Sequence, residues 1–199
     1  MSNAIRHISR MGPLAAAAAV AAVLAAGGAD SPTSPVGLAA SRTALASVAV
    51  VPGAHNAADV AFARRMITHH RQAVVMAEMA ATRSHSPQVK ALAAKIEAAQ
   101  QAEIRQMSVW LRAWGQRVPA PGASGMMSSA EMAKMRAASG PAFDRVFLAM
   151  MIIHHEGAVR MAKTERLHGE YGPARSMAKS IITSQTAQIA QMKALLLKG

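Results

Sequence analysis

The chain has 199 residues, no cysteine, and 22 lysines and arginines against 10 acids. Without a thiol, disulfides, thiolate metal sites and iron–sulfur clusters are excluded. The net charge of +12 favours anionic partners, but the cations stand singly, and two tryptophans, one tyrosine and three phenylalanines are few for stacking on bases. No nucleic-acid partner is therefore expected, while weak association with anionic envelope surfaces fits the charge.

Residues 1–29 read as a secretory signal. Arg6 and Arg10 precede the short apolar stretch Leu14–Ala26, and small residues follow to Ala29. That stretch is too short to cross a bilayer comfortably, so no stable membrane span is expected after cleavage. The sequence thus predicts export to the periplasm, the cell envelope or the exterior. Residues 30–55, rich in Ala, Pro and Ser, read as a flexible linker broken by Pro32, Pro35, Pro52 and Gly53.

From residue 56 onward the pattern is helical. A first long helix is expected from about Ala57 to Arg83, with Asn56 as N-cap and Asp59 in the turn where the helix dipole favours a carboxylate. Ser86-Pro87 starts a second helix, which ends near Trp114 with Gly115 as its cap. A Pro/Gly loop follows, and Ser128-Ser129-Ala130-Glu131 reads as the capping box of a short helix to about Ala138. Ser139-Gly140-Pro141 opens a third long helix to about His168, and Pro173 opens a fourth that runs almost to the C-terminus. Short connections make two antiparallel hairpins, packed as a four-helix bundle. The fold class is all-α.

The bundle domain, residues 56–199, is a duplication. Met66-Ile67-Thr68-His69-His70 returns 85 residues later as Met151-Ile152-Ile153-His154-His155. Phe62, Ala73, Met76 and Ala77 fall without a gap on Phe147, Ala158, Met161 and Ala162, and Ile96, Gln100 and Met107 fall on Ile181, Gln185 and Met192. The units are 56–115 and 140–199, joined by 116–139. At about 100° per residue the paired histidines flank the small-residue stripe of Ala73 and Ala77, which has to face the core. On the partner helix Glu103 falls in the middle of the apolar face, and a buried carboxylate there needs a histidine or a cation opposite. Gln188 occupies the same place in the second unit, so the halves are chemically unequal.

Imidazole suits copper, zinc, nickel and iron, while thioether sulfur selects Cu(I). Met66 with His70, and Met151 with His155, are one helical turn apart and able to converge on one ion. The candidate metal ligands are His69, His70, His154, His155, Met66, Met151, Met76, Met161, Met107, Met192 and Glu103, with copper as Cu(I) or Cu(II) foremost and other transition metals open. Two other readings stand beside this one. Inward histidines also serve as hydrogen-bonded struts between helices with methionines as core filler, and a metal-dependent redox enzyme is conceivable. Met126, Met127, Met132 and Met135 in the connection either offer thioethers to Cu(I) or plug the bundle end. Glu165-Arg166-Leu167-His168 supplies one Glu-x-x-His motif where a di-iron bundle needs two. His-Glu-x-x-His, P-loop and nucleophile-elbow motifs are absent from the sequence. No catalytic residue is assigned and no enzyme activity is expected.

The segments Phe62 to Ala77 and Leu92 to Leu111, with their second copy running through Met192, resemble a ferritin-like exported bacterial family known as a domain of unknown function. The likeness covers about residues 57–198, and the doubled Met-x-x-His-His makes it specific. The family includes a periplasmic copper-binding protein of the CopM type. The resemblance implies a helical bundle, export, and a part in copper binding or tolerance; Gln188 in place of a second Glu103 sets a ligand role at that position aside.

Overall fold

The computed structural model describes residues 53–122 and 125–198. The signal and all but the end of the linker lie outside the described residues. The elements are α1 (Ala57–Arg83), α2 (Pro87–Ala113), α3 (Ser129–Ala137), α4 (Gly140–His168) and α5 (Gly172–Leu196). There is no strand among the described residues, and no helix among them is long and apolar enough to cross a membrane.

Each helix begins where its capping chemistry says. Asn56 accepts from the amides of Ala58 and Asp59 while Asp59 reaches back to the Asn56 amide, a reciprocal box that satisfies the free donors of the first turn. Ser86 caps α2 ahead of Pro87, and Ser128 with Glu131 forms the box that starts α3. At the end of α2 the capping residue is Trp114, and Gly115 follows it at φ +66°, a left-handed conformation that favours glycine. Ser139 precedes α4 without a side-chain cap, the work falling to Pro141 in the first turn.

Helices α1 and α2 form one hairpin and α4 and α5 the other, and the hairpins meet chiefly through α1 against α4, whereas α2 and α5 scarcely touch. The result is the expected all-α four-helix bundle of two tandem hairpins, with α3 in the connection. Two apolar clusters fill it. One gathers Ala73, Met76, Ile96, Phe143, Phe147 and Met151; the other gathers Phe62, Met66, Ile67, Met107, Ala158 and Ala162. On α1 and on α4 the paired histidines fall between the residues given to one cluster and those given to the other. The core is therefore interrupted by a polar layer, and that layer is built by the repeated motif.

The connection packs mostly as a plug. Met127, Met132 and Met135 are buried in the first apolar cluster. Gln72 holds the start of this plug with its whole amide, donating to the Met127 carbonyl at 2.8 Å and accepting from the Met127 amide at 2.7 Å. Arg71 donates to the Pro119 carbonyl at 2.6 Å.

Candidate metal centre

All four histidines of the duplicated motif are buried, His70, His154 and His155 completely and His69 to 6% exposure. Their arrangement follows the repeat. The rings of His69 and His154 face each other across the α1–α4 contact, centroids 3.6 Å apart and planes inclined by 38°. His70 and His155 are each tied outward to the partner helix of their own hairpin. His70 Nε2 lies 2.7 Å from Glu103 Oε2, and His155 Nε2 lies 2.7 Å from Gln188 Oε1. The carboxylate expected opposite the first histidine pair is thus in place, and its amide counterpart sits at the same distance in the second half.

As placed, the oxygens of Glu103 and Gln188 accept from Nε2 of His70 and His155, and Nδ1 is left on the other side of each ring. Neither Nδ1 has a hydrogen-bond partner, and His69 and His154 are left only a contact each to the other's backbone, too poorly placed to count as a hydrogen bond. Six ring nitrogens in this buried layer thus lack a well-formed hydrogen bond. Each such group costs about 1–3 kcal/mol when stranded in a protein interior, so a layer of this kind destabilises the fold unless something engages it. A carboxylate or amide holding the far nitrogen of a ring is also the usual support of a metal-ligating histidine.

The protonation states suit that role. Burial, aided by the charge on neighbouring histidines, pushes His69 down to about 3. Burial likewise lowers His155 to about 4, against the pull of its bond to Gln188, and holds His154 well below the ordinary imidazole value. At neutral pH these rings present lone pairs, and binding an electrophile to them displaces no proton.

The donors nearby are sulfurs. Met66 and Met151 are fully buried one turn before His70 and His155. Met76 and Met192 are fully buried in the first apolar cluster, Met107 in the second, and Met161 is partly buried against the second. Among the described residues no three His, Asp or Glu side chains gather about one point in metal-binding geometry. As the side chains stand, a hard cation that wants a shell of oxygens finds none here, whereas a soft ion can draw on imidazole and thioether together. The donor set fits copper, above all as Cu(I).

Two residues, Gln72 and Gly157, join this neighbourhood without being legible as ligands or supports in the sequence. Gln72 and Gly157 occupy the same position in the two repeats, and where Gln72 grips the connection, Gly157 makes room for it. A Cβ on Gly157 would lie 2.5 Å from Met126 Sδ and 3.0 Å from His69 Nε2. The mismatch of Gln72 with Gly157 in the repeat alignment was the available signal. Two further polar groups, Gln100 and Gln185, are buried one turn before Glu103 and Gln188 with Oε1 unpartnered.

A separate polar knot lies at one end of the bundle. Asp59 Oδ2 accepts from the Asn56 amide at 2.7 Å and the Glu170 amide at 3.1 Å, and Oδ1 from the Tyr171 amide at 3.0 Å. Burial raises Asp59, but these amides and the Glu165 carboxyl outweigh it and hold Asp59 below the usual carboxylate value. Glu165 takes the complementary state: burial and the adjacent Asp59 push it up to about 8, so at neutral pH it is mostly protonated.

Residues 59–196 match the family model described as Domain of unknown function (DUF305). Among solved structures, a DUF305 protein of Streptomyces coelicolor classed as secreted is 31% identical, with TM-score 0.67, covering 71% of this chain and 93% of its own. A DUF305 fragment from Deinococcus radiodurans is 30% identical, with TM-score 0.67, covering 74% of this chain and all of its own. CopM in its Cu(I)-bound form is 35% identical, with TM-score 0.63, covering 70% of this chain and 96% of its own. CopM has also been seen in Cu(II)-bound and Ag-bound forms. No functionally curated protein matches the chain. With its doubled Met-x-x-His-His and its paired hairpins, the chain belongs to the DUF305 family.

Proposed function

We propose that this is an exported metal-binding protein that holds copper, Cu(I) foremost, through the histidine layer and its adjoining methionines, for sequestration, tolerance or delivery rather than turnover. The observation that carries this reading is the set of six buried ring nitrogens without a well-formed hydrogen bond at the α1–α4 contact. Purely structural histidines would spend those nitrogens on hydrogen bonds, as only the two outer ones do here. CopM, similar over most of the bundle, supports copper in particular. The description of the Streptomyces coelicolor relative as a secreted protein and the leader-like N-terminus support export.

The test is a Cu(I) titration against a competing chelator, comparing the mature protein with a variant in which His69, His70, His154 and His155 are all alanine. Tight binding by the parent and its loss in a folded variant is the expected result. Equal affinity in both would remove the histidine layer from the function.

A further inference from the structure

The histidine layer is reached from the surface at His69. A cavity of about 620 Å³ reaches the surface beside α1 and α4, and His69, Met126 and Met161 all line it. His69 is the one member of the four histidines that is not wholly buried. Met126 Sδ and His69 Nε2 both crowd the bare α-carbon of Gly157, which places them within about 5.5 Å of each other. Met161 belongs to α4, one turn beyond Gly157, and completes a set of one imidazole and two thioethers on a single wall.

We propose that His69, Met126 and Met161 form a soft-metal capture site at the mouth of the histidine layer, where a Cu(I)-like ion is first held before it reaches the buried rings. Low-coordinate nitrogen–sulfur sets are what a soft monovalent ion prefers, and neither ring nitrogen of His69 is spent on a well-formed hydrogen bond. The site belongs to neither repeat alone. Its imidazole comes from the first, one thioether from the second, and the other from the connection, pinned by the two hydrogen bonds between Gln72 and Met127. Gly157 is the enabling residue, since any side chain there would evict the Met126 sulfur.

The rim adds selectivity for charge. Arg64, Arg65 and Arg160 line the same cavity, and none of them is in an ion pair among the described residues. Repulsion from fixed guanidiniums doubles for a divalent ion, so the mouth favours a monovalent one.

This inference rests on the copper reading above, and its test separates the two. Protein labelled with ¹³C at the methionine methyl groups is titrated with Ag(I), a redox-inert probe of soft sites. The Met126 and Met161 methyl signals are expected to move with the first equivalent. Met126→Leu, which keeps the volume and loses the donor, is expected to weaken uptake of that equivalent at least about tenfold, the loss that even outer-shell partners produce. Gly157→Ala keeps every donor but displaces the sulfur, and is expected to do the same. If Ag(I) is taken up while the Met126 and Met161 methyls of the parent stay still, the capture site is wrong and the copper reading stands. If the parent takes up no Ag(I), both fall.

Discussion

The two repeats share a design although most of their aligned residues differ, and the differences that separate the halves lie at polar groups. At the histidine layer the first half opposes His70 with the carboxylate of Glu103, while the second opposes His155 with the amide of Gln188, both at 2.7 Å. At the helix ends, Asp59 collects three backbone amides and the Tyr171 ring packs edge-on against Trp110 and Trp114. Its counterpart Asp144 has a buried Oδ1 with no partner, and Leu195 and Ser86 stand where Trp110 and Tyr171 would be. A cavity of about 540 Å³ remains there, lined by Asp144, His85, Leu148 and Leu195. One end of the bundle is thus a finished joint and the other is not. The tighter joint and the charged partner of the histidine layer both belong to residues of the first half.

The largest expected contrast is at these ends. Asp59→Ala strands the buried Tyr171 amide and the part-buried Asn56 and Glu170 amides, and is expected to cost about 2–3 kcal/mol in denaturant unfolding, since a buried group that loses its partner costs about 1–3 kcal/mol. Asp144→Ala removes a carboxylate oxygen that nothing engages and is expected to change stability by no more than about 0.5 kcal/mol. Equal costs would mean that the ends are equivalent after all.

The second contrast concerns the histidine layer. Glu103→Gln makes the first half resemble the second and is expected to weaken copper binding about tenfold, the lower range for losing an outer-shell carboxylate. Gln188→Glu is expected to strengthen it. Competition titration of the two single variants and the double swap checks both, and a double swap that restores the parent's affinity would show the halves to be interchangeable.

The smallest effect is in pH. His69, His154 and His155 are depressed in the folded state, so their contribution is present above the free imidazole value of 6.5 and is lost as pH falls below it. Glu165 is raised, so its contribution is full below the free value of 4.5 and is lost as pH climbs to about 8. Between about pH 6.5 and 8 only the Glu165 slope operates among these groups, and metal-free protein is expected to lose stability gently across that window. Glu165→Gln is expected to flatten it. A slope unchanged by Glu165→Gln would assign it elsewhere.

Much of this was legible in the sequence because it is local or periodic. The helix starts at Ala57, Pro87 and Ser129 follow from Asn56, Ser86 and Ser128, whose capping chemistry acts within a turn. The inward aim of His69 and His70 follows from the helical period, and the pairing of Glu103 with His70 from its place on the apolar face, although the Glu103 side chain stays 21% exposed where a buried carboxylate is expected. Contacts across long sequence separations were not legible. Nothing in Asp59 announces that it holds amides 111 and 112 residues away. Nor does the loop reveal that Met126 alone of its four methionines lines the histidine mouth while Met127, Met132 and Met135 plug the core. Only the exchange of Gln72 for Gly157 between the repeats hinted at it.

The most direct test of the histidine layer as the place where metal is held is anomalous X-ray scattering from crystals loaded with Ag(I). Peaks are expected within bonding distance of ring nitrogens of the His69, His70, His154 and His155 cluster, with methionine sulfur completing the shell. Peaks confined to surface side chains, with the four imidazoles left without metal, would contradict the assignment.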